Sequence, residues 1–225
     1  MKLGTLFDFN GVLVDDEHLH HRAMAEVVLP LGIVLTEADY FGRYFALDDA
    51  GALRAILKDA QRDASDANVR ALVEKKKPVY LAHAEHARLF EGGAALVAAC
   101  ADAGPVAIVS GALRHEIELF LQRMDVTSRI AAIVSADETT VCKPDPQGYV
   151  MGMAALRDAG ADAFVAIEDS PGGVRAARAA KIPVVAVLHS VPEAALVEAG
   201  ADRIVRELAS IDVPLLRSLA RAVDA

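Results

Sequence analysis

Lys2-Leu3-Gly4-Thr5-Leu6-Phe7-Asp8-Phe9-Asn10-Gly11 is an apolar run that meets an acid and then breaks at Asn10-Gly11. That order describes a buried parallel strand whose C-terminal end presents Asp8. Ligands of open α/β sheets bind outside that end of the strands. An ordinary strand-to-loop turn also places a carboxylate there, so Asp8 alone decides nothing. Three later strands decide it, because each also ends in polar groups of a type that one reaction needs.

Those strands lie in the second half of the chain, where helix and strand alternate. A helix over 94–103 ends at Gly104-Pro105, and the strand Val106-Ala107-Ile108-Val109 runs into Ser110-Gly111. A helix over 112–124 and a strand over 130–134 lead to a loop holding Cys142-Lys143-Pro144-Asp145-Pro146. A helix over 147–159 is followed by Phe164-Val165-Ala166-Ile167, which runs into Glu168-Asp169. A helix over 172–180, a strand over 183–187, a short strand near Ile204 and a helix from Val213 close the series. Such alternation implies a doubly wound, Rossmann-like parallel sheet of the α/β class, with right-handed crossovers. Alanine pairs such as Ala94-Ala95 and Ala176-Ala177 suit helices packed closely on a sheet.

Between Asp8 and this alternation the pattern is different. From Glu17 to about Ala87 the sequence reads as helical, with breaks at Pro30-Leu31-Gly32 and near Gly51. Val27, Val28 and Leu31, then Leu53, Ile56 and Leu57, fall at helical spacing. Residues 15–88 are therefore expected to form a helical insert, and 1–14 with 89–225 the sheet domain.

The chain has 225 residues, is 54% hydrophobic and carries a net charge of −9. With no long basic run, bulk charge does not draw it to nucleic acid or to an anionic membrane. The run from Met1 to Phe9 is too short for a signal peptide, and no stretch reaches transmembrane length. Cys100 and Cys142 show no metal-type pairing. A reduced, cytoplasmic setting is expected, for a monomer or small homo-oligomer.

Four loops should meet at the C-terminal edge of the sheet, bringing Asp8, Ser110, Lys143 and the pair Glu168-Asp169. Three carboxylates do not ionise side by side without a countercharge. A hard cation supplies one, and Mg²⁺ suits carboxylates, a carbonyl and waters. Lys143 adds positive charge and holds Asp8 ionised as a nucleophile. Ser110 and nearby backbone N–H groups can hydrogen-bond a phosphoryl oxygen. The set describes phosphoryl transfer through an aspartyl-phosphate.

Asp8-Phe9-Asn10-Gly11-Val12-Leu13, Val109-Ser110-Gly111, Lys143-Pro144-Asp145-Pro146 and Ile167-Glu168-Asp169-Ser170 resemble, in order, the four motifs of the haloacid dehalogenase superfamily. The helical insert resembles the cap of its β-phosphoglucomutase and phosphoglycolate phosphatase branch. The resemblance implies a phosphatase of a small phosphorylated metabolite with Asp8 as nucleophile. It implies Mg²⁺ at Asp8, the Asn10 backbone carbonyl, Glu168 and Asp169. It implies phosphoryl contacts from Ser110, Gly111 and Lys143. His20 matches a cap histidine that this branch often turns toward the active site.

The chain departs from the pattern at Asn10, where family phosphatases and mutases carry an acid/base Asp. An amide neither takes a proton from water nor gives one to a leaving group. His20, whose ordinary pKa lies near neutrality, is the candidate replacement base. Mutases of the branch carry a cap Arg where this chain has Leu47-Asp48-Asp49-Ala50-Gly51, which argues against a sugar phosphomutase. A homologue that binds a phosphate ligand and barely turns it over is the other alternative. Elsewhere, His18, His20 and His21 read mainly as an exposed polar face, with a Glu17–His21 metal pair as the minor reading. Lys75-Lys76-Lys77 reads as a solvated turn, Arg43 as a surface charge, and His83, His86, His115 and His189 as surface or packing residues.

Overall fold

The computed structural model describes residues 1–45, 47–84 and 86–223. In chain order the elements are β1 (Leu3–Phe7), β2 (Val14–Asp15), α1 (Glu17–Val28), α2 (Glu37–Asp39), α3 (Asp49–Asp59), α4 (Asp66–Ala84) and β3 (Arg88–Leu89). Then come α5 (Gly93–Ala103), β4 (Val106–Val109), α6 (Arg114–Arg123), β5 (Ile130–Val134), α7 (Gln147–Asp158), β6 (Ala163–Glu168) and α8 (Pro171–Ala179). β7 (Val184–Val187), α9 (Glu193–Ala199), β8 (Arg203–Val205) and α10 (Val213–Leu219) complete the series. Contacts divide the chain into two compact units, 1–14 with 89–225, and 15–88. Among the described residues no helix is long and apolar enough to cross a membrane.

The first unit is a six-stranded sheet in the order β5-β4-β1-β6-β7-β8, with every strand pair parallel. β1 lies at the centre, with Thr5 opposite Val106 on one side and Leu3 opposite Ala163 on the other. All residues of β1, β4, β6 and β7 are buried. Burial on both faces is why these strands are continuous apolar runs rather than alternating ones. In α8, Ala176 and Ala177 are fully buried, the close approach that small side chains permit. Asp8, Ser110, and Glu168 with Asp169, stand at or just beyond the C-terminal ends of the neighbouring strands β1, β4 and β6.

The second unit closes its own core. Val27 and Val28 of α1, Leu53, Ile56 and Leu57 of α3, and Val69 and Leu72 of α4 are buried together. Each such side chain contributes about 1.5–3 kcal/mol by leaving water. Where the chain passes between the units, β2 and β3 pair as a two-stranded ribbon.

Several boundaries differ from the sequence expectation. The break near Gly51 falls just before it: α3 starts at Asp49, and Gly51 sits in its first turn, where its N–H donates to the capping Asp48 at 2.8 Å. α6 starts at Arg114 rather than Ala112, because the Glu116 side chain accepts from the Leu113 N–H at 3.0 Å and caps the helix there. α9 has no counterpart in the sequence reading. Lys75-Lys76-Lys77 is no solvated turn. It lies inside α4, and Lys76 is 1% exposed because a half-buried partner, Asp49, awaits it.

Candidate active site

Lys143 ties the strand ends of the first unit together. Its Nζ donates to Asp8 Oδ1 at 2.5 Å, Glu168 Oε1 at 2.6 Å and the Val109 carbonyl at 3.0 Å. Those three bonds use all the hydrogens of an ammonium. Glu168 Oε1 also accepts from the Tyr149 hydroxyl at 2.7 Å. Glu168 Oε2 accepts from the Asp169 N–H at 3.1 Å, the Ser170 N–H at 3.3 Å and Ser170 Oγ at 3.2 Å. Ser170 Oγ in turn caps α8 by accepting from Gly173 N at 3.0 Å. A side chain at Gly173 would collide with the Glu168 carboxylate.

One ligand oxygen each from Asp8, Glu168 and Asp169 lies within 4.8 Å of the others, and all three residues are buried. Among the described residues this is the one such group of acidic or metal-ligating side chains. The charge does not balance. Burial and repulsion from Glu168 outweigh Lys143 and push the Asp8 carboxyl up to about 7. Burial, then Asp8 and Glu168, raise Asp169 as well. Burial disfavours the Lys143 ammonium, but Asp8 and Glu168 more than offset this and hold it charged. Three hard oxygen donors with one lysine between them fit a small divalent cation.

Ser110 lies beside this group. Its Oγ donates to Asn10 Oδ1 at 3.3 Å and accepts from the Ala112 N–H at 3.0 Å. Gly111 follows, exposed. Asn10 precedes a tight turn: Gly11 has φ +74°, a left-handed conformation that favours glycine, and its N–H donates to the Val14 carbonyl at 2.8 Å. Thus Asp8, Asn10, Ser110, Lys143, Glu168 and Asp169 come together in the first unit. Tyr149, His189 and Ser190 join them without having been singled out for a role there. Ser190 Oγ donates to Asp169, and His189 Nδ1 lies 2.8 Å from the Gly11 carbonyl. No short motif marks these three, whose positions follow only from the fold.

His20 lies in a second buried cluster, in residues 15–88. Its Nδ1 is 2.7 Å from Lys76 Nζ, its Nε2 is 3.5 Å from Asp16, and its ring centroid is 4.4 Å from that of Tyr80. Lys76 Nζ also donates to both oxygens of Asp49, at 2.5 and 2.6 Å. The Tyr80 hydroxyl donates to Asp16. Burial and Lys76 push the His20 pKa down, but hydrogen bonds to Asp16 and Asp49 outweigh them and bring it up to about 10. Both ring nitrogens of His20 are engaged inside this cluster, Nδ1 with Lys76 and Nε2 with Asp16. The exposed face is corrected, since His20 is buried and His18 alone of the three histidines is exposed. Glu17 accepts from the Tyr40 hydroxyl and His21 Nε2 contacts the Leu35 carbonyl, so Glu17 and His21 have separate partners. Arg43 pairs at the surface with Asp59.

The family model for haloacid dehalogenase-like hydrolases matches residues 5–187. The chain is 30% identical over 193 residues to hexitol phosphatase B of Escherichia coli K12, covering 82% of this chain and 83% of that protein. It is 30% identical over 214 residues to SUPPRESSOR OF QUENCHING 1, a chloroplastic protein of Arabidopsis thaliana, covering 93% of this chain but only 20% of that much longer protein. Among solved structures, CbbY from Rhodobacter sphaeroides in complex with phosphate superposes with a TM-score of 0.83 at 24% identity, over 96% of this chain and 100% of that one. A match across most of the sheet domain and the insert leaves one conclusion: the chain belongs to the haloacid dehalogenase-like hydrolase family.

Proposed function

We propose that the chain is a Mg²⁺-dependent phosphatase that hydrolyses a small phosphorylated carbohydrate or related metabolite through an aspartyl-phosphate on Asp8. The observation that carries this is the surplus of carboxylate around Lys143 at the end of β1. The similarity to hexitol phosphatase B supports the substrate class. Residues 15–88 take the part of the cap that sets specificity.

Asp8, the Asn10 carbonyl and Asp169, with Glu168 beside them, would hold Mg²⁺, which when bound offsets their charge and that of the phosphoryl oxygens. Asp8 attacks phosphorus. The bond to the leaving oxygen breaks, and that oxygen takes a proton from solvent. Ser110 Oγ and Lys143 Nζ orient the phosphoryl oxygens by exchanging one of their present bonds for a bond to substrate. Tyr149 and the backbone N–H groups of Asp169 and Ser170 fix Glu168, so Lys143 is held between two carboxylates rather than drawn to one.

Asn10 cannot shuttle the proton for either step, help that is typically worth ~10²–10⁴-fold. Hydrolysis of the phosphoenzyme is therefore the slow step, because water needs a base more than an activated leaving group needs an acid. A screen of phosphate esters with detection of inorganic phosphate tests the reading. Mg²⁺-dependent phosphate release at a slow steady rate is expected, with a burst of the alcohol product ahead of it. Binding of esters with no burst would favour the second reading, a weakly active phosphate-binding protein, to which the Ser110–Asn10 bond lends support. A sugar phosphomutase is not favoured, since Asp49 is committed to Lys76 in the segment where mutases carry an Arg.

A further inference from the structure

Two consecutive residues after β7 close on the turn that follows Asp8. His189 Nδ1 meets the Gly11 carbonyl at 2.8 Å, and Ser190 Oγ donates to the Asp169 carboxylate. A carbonyl only accepts, so Nδ1 carries the proton and the tautomer is set. The His189 ring lies flat on Phe90, with centroids 3.8 Å apart and planes 12° from parallel. Phe90 donates its own N–H to the Leu13 carbonyl at 3.1 Å, so it is anchored to the same turn. The junction is tight. A Cβ on Gly11 would run into both the Asp169 carboxylate and Ser190 Oγ.

Gly11 has a peptide unit on either side, and both are pinned. The preceding unit carries the Asn10 carbonyl, and the Gly11 N–H of that unit donates to Val14. The following unit carries the Gly11 carbonyl, which His189 holds. Left-handed backbone at Gly11 is one of several conformations open to a glycine. A donor on the far side therefore selects which of them the turn keeps.

We infer that His189 is a positioning residue for the metal site. Through the Gly11 carbonyl it fixes the aim of the Asn10 carbonyl, while Ser190 beside it holds Asp169. The inference rests on the reading that these two groups bind Mg²⁺. It assigns His189 a hydrogen-bonding task, distinct from filling space against Phe90.

Two variants separate those tasks. His189→Phe keeps a flat ring on Phe90 and has no donor. His189→Asn keeps a donor nitrogen near the place of Nδ1 and has no ring. Mg²⁺ affinity by calorimetry should fall ~10–100-fold in His189→Phe, the usual cost of losing an outer partner of a metal ligand. It should stay near wild type in His189→Asn. The KM for a phosphate ester at saturating Mg²⁺ should change little in either. Hydrogen exchange of the metal-free protein gives a reading that needs neither metal nor turnover. Amides of residues 11–14 should exchange faster in His189→Phe and not in His189→Asn. Wild-type behaviour of His189→Phe in exchange and affinity would overturn the inference, as would equal losses in both variants. If wild type itself bound no Mg²⁺, the metal reading would fall and the inference with it. Faster exchange in His189→Phe alone would then credit His189 only with holding the turn.

Discussion

The two units each bury a charge cluster, and the clusters are balanced differently. In the first unit three carboxylates, Asp8, Glu168 and Asp169, share one lysine. In the second, Asp16 and Asp49 face His20 and the Lys76 ammonium, while burial pushes Glu17 toward its neutral form beside them. The consequences run in opposite directions. Asp8 and Asp169 are raised, as carboxylates short of countercharge must be. Burial also works against Asp49, yet Lys76 and His20 hold it well below the usual carboxylate range. A surplus of one sign makes a cluster ready for a cation from outside. A closed balance makes it part of the framework, sensitive to the loss of any member.

The largest expected effect breaks the first cluster chemically. Asp8→Asn removes the nucleophile and should lower turnover on the order of 10³-fold or more. It also relieves like-charge repulsion, so the metal-free variant should melt no lower than wild type. Retained turnover in steady-state assays would sink the assignment of Asp8. Next in size is the opposite cluster. Lys76→Met takes the lysine from half-buried Asp49 and should cost ~2–3 kcal/mol of stability in 15–88, read by hydrogen exchange across α4. Added Mg²⁺ should not restore it. In Lys143→Met, by contrast, Mg²⁺ should recover most of the stability lost, because a cation can replace a cation there. Equal Mg²⁺ rescue of both variants would erase the distinction between the clusters.

A smaller effect sharpens the first cluster. Asn10→Asp should speed phosphoenzyme hydrolysis by ~10²-fold, the lower end of what a positioned acid/base group supplies. Quench-flow should show the burst amplitude shrinking as the steady rate rises; an unchanged steady rate would place the slow step elsewhere. The smallest effect is a pH slope in the second cluster. His20 is raised from 6.5 to about 10, so its stabilisation is complete below 6.5 and is lost as pH climbs through about 10. Stability should fall across that window by up to ~1.4 kcal/mol per pH unit. Denaturant titrations of wild type and His20→Asn should diverge in slope there. Parallel slopes would mean that His20 is not held protonated by Asp16 and Asp49.

The parts of this arrangement that could be read from the sequence are those carried by strand ends. Asp8, Ser110 and Glu168-Asp169 each follow a short apolar run, and a parallel sheet brings such ends together whatever the rest of the chain does. Lys143 follows a loop, yet its charge type among three acids gave it away. The unread parts depend on one side of a helix or the far end of a loop. Three lysines in a row look equivalent, but successive helical positions point about 100° apart, so one can turn inward while its neighbours stay wet. Lys76 is the one that does, because of Asp49 on another helix. His189 reads only as a surface or packing residue, because the carbonyl it holds is backbone, which leaves no trace in side-chain composition.

The placement of β1 also bears on how the chain is made. It is the earliest strand of the sheet in the sequence and the central one, and its neighbours are Val106–Ile108 and Ala163–Ile167. Residues 15–88 are contiguous and draw their core from nearby segments, so that unit can close on the ribosome while β1 has no partner. The strand that carries Asp8 thus waits longest for both of its edges. One of its edges stays unpaired until β6 has been synthesised, and an unpaired apolar edge is where a folding chain is open to wrong pairing.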